Sequence, residues 1–167
     1  MTENRESFEM NEKFTFFWRS ESPFSQWYPA VFIVGDVRFN CAEQYMMYRK
    51  ALLFEDEVIA RKILDASSPQ TQKALGRKVR NFSEPVWEEQ SHEIVYTGNH
   101  AKFTQNPPLQ AALLATAGTT LVEASPRDRV WGVGLSEDDP RIHHRKQWLG
   151  QNRLGEILTR LREDLMK

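Results

Sequence analysis

Asn40-Cys41-Ala42-Glu43-Gln44-Tyr45-Met46-Met47-Tyr48-Arg49-Lys50-Ala51-Leu52-Leu53-Phe54 is the stretch whose reading decides the fold. Ala, Glu, Gln, Met and Leu are strong helix formers, and no Gly or Pro interrupts the run. Asn40 followed by Glu43 three residues on predicts a capping-box start. On that helix Glu43, Met46, Met47, Lys50 and Phe54 fall on one face, at i, i+3, i+4, i+7 and i+11. The face is apolar enough to pack inward, yet it carries a carboxylate and an amine. Ionised groups are costly to bury without partners or a task. Glu43 and Lys50 stand two turns apart, roughly 10 Å by helix rise, too far for a simple pair but within reach of one cavity. The face therefore reads as the floor of a site. The competing reading leaves Glu43 as a cap and lets Lys50 snorkel to water.

Working outward toward the N-terminus, Val31–Val34, Gly35-Asp36 and Val37–Phe39 form a hairpin, with Gly35 supplying positive φ at the turn. Phe14–Trp18 has the aromatic and β-branched character of a short buried strand. Between them, Arg19–Pro29 is a loop dense in aromatics, which must either cover the core or line a pocket for a planar ligand. Residues 1–12 read as a flexible tail, leaving 13–167 as one domain.

Toward the C-terminus, Glu55-Asp56-Glu57 opens a helix through Ile63 and Leu64, with acidic residues complementing its dipole. Ser67-Ser68-Pro69 ends it and begins a short helix. Arg77-Lys78-Val79-Arg80 offers cations for a phosphate or a solvated face. A helix from about Ser83 or Glu84 to about Asn99 carries Trp87, Gln90, Ser91, Ile94 and Val95 on a mixed face. Leu109–Ala115 is helical and ends at Gly118. Thr119–Ala124 is a strand, in the same sheet or a second one. Ser125–Gly134 is a turn and a short extended piece whose glycines allow close approach of backbone. Ser136–Gly150 lacks periodicity and, at that length, reads as a lid or binding loop. Leu154, Ile157, Leu158, Leu161 and Leu165 stripe a terminal helix. The fold class is α+β: a predominantly helical single domain with a small β-sheet.

Composition narrows the function. The 167 residues carry 40% apolar and 27% charged side chains with a net charge of -1, an ordinary globular balance without the basic surface a duplex binder needs. One cysteine excludes an intramolecular disulfide and fits a reducing compartment, and four scattered histidines argue against a zinc site, so neither metal nor cofactor is expected. The polar N-terminus is unlike a signal peptide, and no apolar run reaches the roughly 18 residues of a membrane span. The expectation is a cytoplasmic protein that acts on small molecules. Walker, GxGxxG, HExxH and GxSxG signatures are absent. Cys41 has no base near it in sequence and reads as an inert buried thiol. What remains, carboxylates and aromatics with a lysine, suits cleavage at an anomeric carbon. A fixed carboxylate stabilises the oxocarbenium-like charge, and tryptophans stack the leaving base. A lysine of depressed pKa attacking C1 to form a Schiff base serves the same end. Residue types alone leave both routes open.

The chain resembles the NADAR (YbiA-like) N-glycosidase family from about Phe16 to Met166. The resemblance rests on Phe24-Ser25-Gln26-Trp27, Ala42-Glu43-Gln44 through Lys50-Ala51, Leu75-Gly76-Arg77 before Trp87, and Lys102-Phe103. It continues in Leu121–Ser125, Asp128–Gly132 and Gly150–Gly155, each weak alone but collinear over one domain. It implies hydrolysis of an N-glycosidic bond between ribose, as phosphate or ADP-ribose, and a pyrimidine or guanine base. The substrates so implied are ribosylamino-pyrimidine intermediates of riboflavin synthesis or ADP-ribosylated guanine, the latter as a free base or within nucleic acid. It further implies Glu43, Lys50 and Asp128 as the catalytic set. Phe24, Ser25, Arg77, Trp87, Trp131, Gly132 and Asn152 would bind substrate, with Arg77 on the phosphate. The 136–146 insert is where members vary. The alternative from another class is a non-catalytic module that binds ADP-ribose or a nucleotide in the same aromatic pocket.

Overall fold

The computed structural model describes residues 11–167. Most of the tail expected over 1–12 therefore lies outside the described residues. Glu12 itself is paired: it accepts from Arg145 and from the Thr120 hydroxyl, 2.9 Å away.

The elements are β1 (Phe14–Phe17), β2 (Phe32–Val34), β3 (Val37–Phe39), α1 (Ala42–Leu53), α2 (Glu57–Asp65), α3 (Pro69–Gly76) and α4 (Glu84–Thr104). They are followed by α5 (Pro107–Leu114), β4 (Thr120–Glu123), 3-10 turns at Pro140–His143 and Arg145–Gln147, and α6 (Arg153–Leu165). The architecture is α+β and predominantly helical, as the periodicity predicts. The strands separate into two two-stranded sheets: β1 lies parallel to β4, and β2 lies antiparallel to β3. The chain resolves into two compact units. One is Ser25–Ala111; the other joins the described residues up to Phe24 to Ala112–Lys167.

In the Ser25–Ala111 unit, α1 packs against α2, α3 and α4. Its core joins Phe32 and Phe39 of the hairpin to Tyr45 of α1 and to Ile94 and Ala101 of α4. The hairpin turns as read: Val34 pairs with Val37, and Gly35 takes φ +60° at the first central position. Asp56 caps α2 by accepting from Ile59 N at 3.1 Å, and Ser68 caps α3 by accepting from Thr71 N at 3.2 Å. α4 runs five residues past the end read at Asn99, to Thr104. Gly98 does not break it, because the Tyr45 ring occupies the space a side chain would need; a Cβ there would lie 2.4 Å from Tyr45 Cδ1.

In the other unit, Phe14 to Phe17 run in register with Thr120 to Glu123. α6 packs on β4, over a core of Val122, Ala124, Val133, Leu135 and Ile142. The 136–150 stretch, expected as a lid or binding loop, is docked within this unit. Ile142 is fully buried, the Trp148 indole donates to Ile142 O at 2.8 Å, and the Trp148 ring packs 5.3 Å from Phe14.

Candidate active site

α1 supplies the charged face. Its first six residues, Ala42 to Met47, are all buried, Glu43 with 4% of its surface exposed. The capping box expected from Asn40 and Glu43 does not form. The helix begins one residue later, at Cys41 as N-cap, with no side-chain cap bond. Asn40 turns instead toward α3, where its carbonyl accepts from Gln72 Nε2 at 3.1 Å and its amide donates to Ser67 O at 3.0 Å. Gln44, not Glu43, reaches back to the Asn40 backbone N–H, at 2.8 Å. Glu43 donates its own backbone N–H to Gln26 O at 2.9 Å.

Lys50, two turns on, is half-buried. Its Nζ lies 4.7 Å from the centre of the Phe82 ring and 5.7 Å from that of Trp87, in cation–π range of both. Burial pulls its amine below the ordinary lysine value; Glu43 pushes it up, and Arg77 pushes it further down. Glu43, Lys50 and Arg77 therefore share one electrostatic neighbourhood with Trp87. Arg77 is placed there by Gly76 at the end of α3, which presses on α1 so closely that a Cβ would stand 2.0 Å from Met47 Sδ.

The aromatic loop enters at the other end of α1. Ser25 Oγ accepts from Trp27 N at 3.2 Å, and Ser25 O accepts from Tyr28 N at 3.2 Å and from Lys102 Nζ at 2.9 Å. Cys41 is buried, donates to Gln72 Oε1 at 3.1 Å, and is pushed up to about 11. Burial is the main cause, offset in part by the backbone amides of Gln44 and Glu43. It is the inert thiol expected.

The remaining expected residues lie in the other unit. Asp128 Oδ1 accepts from Val130 N and Trp131 N, both at 2.9 Å, closing the turn that presents Trp131. The Arg153 guanidinium lies 6.0 Å from the Trp131 ring centre. Gly132 sits where a Cβ would meet Asp128 O and the Ser125 side chain at 3.0 Å. Asn152 is fully buried, with φ +53°, and both ends of its carboxamide are taken by β4: Oδ1 accepts from Glu123 N and Nδ2 donates to Leu121 O, each at 3.0 Å. Phe24 packs edge-on to Phe17 at 5.8 Å.

Phe82 did not stand out in the sequence, and Lys102 entered only through the Lys102-Phe103 match of the resemblance, with no role assigned to it. Lys102 follows Ile94, Val95 and Gly98 on the buried stripe of α4. Reading that helix as ending at Asn99 removed it from the stripe. Phe82 precedes the cap of α4, where no periodicity marks a residue. Among the described residues, no group of three His, Cys, Asp or Glu side chains is placed to hold a metal ion, and no helix is long and apolar enough to cross a membrane.

The architecture just described is that of YbiA: it superposes on the NMR structure of the E. coli protein YbiA with a TM-score of 0.76 at 29% identity, over 93% of this chain and 86% of that one. The chain belongs to the NADAR family, whose domain profile matches residues 16–166. It is 43% identical to N-glycosidase R617 of Acanthamoeba polyphaga mimivirus, over 84% of this chain and 86% of the viral protein. It is 38% identical to Protein irg-1 of Caenorhabditis elegans, over 91% and 79% of the two.

Proposed function

We propose that this chain is an N-glycosidase hydrolysing the bond between a ribose, as its phosphate or within ADP-ribose, and a pyrimidine or guanine base. One observation carries the reading: Glu43, Lys50 and Arg77 share a neighbourhood walled by Phe82 and Trp87 on the buried face of α1. When the glycosidic C–N bond breaks, its electron pair leaves with the base, which takes a proton, and positive charge develops on the ribose. The Glu43 carboxylate stabilises that charge and accepts a proton from the water whose oxygen bonds to C1. Trp87 and Phe82 stack the departing base. Arg77 pairs with the phosphate through its planar fork.

Burial of Lys50 enlarges its neutral fraction, which favours a second route at the same centre. There Nζ bonds to C1 of the ring-opened ribosylamine and the base nitrogen leaves with a proton. Water then attacks the imine, returning sugar aldehyde and free amine. Borohydride reduction under turnover separates the routes. A mass adduct on Lys50 supports the imine, and its absence leaves direct hydrolysis.

Asp128, grouped with the catalytic pair on resemblance, is proposed instead as the residue that sets the turn carrying Trp131 and Gly132. Asn152 is proposed to hold the neighbouring backbone, and Phe24 and Ser25 to contact substrate from the aromatic loop. The name of the mimiviral relative supports the reaction class. The choice between riboflavin intermediates and ADP-ribosylated guanine rests on the family resemblance and is decided by assay. Incubating the full chain with each substrate and weighing the products is expected to yield sugar phosphate, or ADP-ribose, and free base from one of them. Tight binding to both with no product from either would instead identify a nucleotide-binding module.

A further inference from the structure

Lys102 plays no part in the chemistry above, yet its placement is hard to explain as packing alone. It is fully buried on α4, and its Nζ donates to one backbone carbonyl, Ser25 O, at 2.9 Å. Its Nζ also lies 4.9 Å from the centre of the Phe103 ring and 5.7 Å from that of Tyr28. Among the described residues it forms no ion pair. The titratable groups facing it are the Tyr28 phenol from the aromatic loop and the Cys41 thiol from the start of α1. That thiol is held protonated to about 11, so it brings no negative charge to the amine at neutral pH. Interiors rarely tolerate an ammonium with so little compensation. What the amine does hold is the first link of a short chain. Ser25 O is gripped by Lys102, and the next carbonyl, Gln26 O, takes the backbone N–H of Glu43 at 2.9 Å. One turn before Lys102, Asn99 donates to the Gln26 side-chain carbonyl at 2.9 Å and so steadies the same segment.

We propose that Lys102 is a positioning residue: by holding the Ser25 carbonyl it fixes the Ser25–Gln26 segment that anchors the first turn of α1 and, with it, the Glu43 carboxylate. The inference rests on the N-glycosidase reading for its catalytic consequence but not for its structural one. Burial pulls the Lys102 amine down to about 7, so the grip changes character across neutral pH. Below that value a charged donor holds the carbonyl; above it a neutral amine holds it more weakly. Stability carries the opposite sign. Between about 7 and the unfolded lysine value of 10.5, the unfolded chain binds the proton that the folded chain has lost, so stability rises with pH. Cys41 opposes this above 9.0, where the unfolded thiol ionises and the folded one does not.

The test is hydrogen exchange by mass spectrometry on the full chain between pH 5.5 and 8.5, corrected for intrinsic rates and followed in peptides covering Ser25–Tyr28 and Ala42–Met47. Protection of both is expected to be about tenfold lower in Lys102→Met than in the wild type across this pH range. Lysine side-chain NMR of the wild-type chain is expected to show one amine titrating near 7. The wild-type titration stands as a test if the variant does not fold. With a cleavable substrate, Lys102→Met is expected to lose about tenfold in kcat because the carboxylate is misplaced, with a smaller rise in KM because Ser25 shifts with its segment. A Lys102 that titrates as an ordinary surface lysine, or a folded Lys102→Met with unchanged loop protection, would each overturn the proposal. If the loss of protection appears but no ribosyl base is cleaved, positioning by Lys102 stands and the N-glycosidase reading falls.

Discussion

Two carboxylates, one in each compact unit, stand in contrasting settings. Asp128 sits on a turn, and one of its oxygens is already taken by the N–H groups of Val130 and Trp131, both 2.9 Å away. Glu43 sits in the first turn of a buried helix, where a cap would be expected, yet that service falls to Gln44 and Gln26. Its charge acts on Lys50, two turns along the same helix. The position of an acid in the sequence therefore says little about its use until its backbone obligations are counted. On the proposed reading, the acid beside Lys50 serves the chemistry and the acid that closes a turn serves the architecture.

The largest effect that would break this contrast is on Glu43. Glu43→Gln keeps size and hydrogen bonding but removes the charge, and is expected to lower kcat by roughly 10²–10⁴ while leaving the melting curve near wild type. Wild-type turnover by the purified variant would end the assignment. Arg77 comes next. It is exposed at the end of α3, so Arg77→Ala is expected to fold normally and to raise KM about tenfold for a phosphorylated substrate with little change in kcat. An equal loss for a substrate lacking the phosphate would show that Arg77 acts through Lys50 instead.

Much of the unit carrying Glu43 is legible locally. Its helices announce themselves through Asp56, Ser68 and Pro69 at their starts, the hairpin through Gly35, and the inward face of α1 through the spacing of Glu43, Met46, Met47 and Lys50. What is not legible depends on contacts between distant residues. α4 reads as ending near Asn99, so nothing in its pattern places Lys102 on the buried stripe until the helix is seen to continue to Thr104. Asn40 reads as a cap because nothing in the sequence reveals that Gln72, on another helix, competes for its side chain. The other unit hides more. β1 and β4 pair in parallel across about a hundred residues, a match no local pattern encodes. The 136–150 stretch looks like a free loop because its anchors, Ile142 and Trp148, are isolated apolar residues without periodicity.

Asp128 gives the smallest effect and the sharpest discrimination. Asn keeps a carbonyl oxygen where Asp128 Oδ1 accepts its two backbone bonds, so Asp128→Asn is expected to change kcat/KM less than about threefold and stability by less than about 0.5 kcal/mol. Ala supplies no acceptor. Asp128→Ala leaves the N–H groups of Val130 and Trp131 without that partner and is expected to cost about 1 kcal/mol, as the loss of a comparable side-chain cap does. The resemblance gives Trp131 to substrate binding, so a loosened turn is expected to raise KM more than it lowers kcat. The pair of variants separates the two readings of this acid. A residue that holds a turn tolerates the amide and not the methyl, whereas a residue that moves protons tolerates neither. A kcat loss in Asp128→Asn as deep as that of Glu43→Gln would return Asp128 to the catalytic set and erase the contrast between the two units.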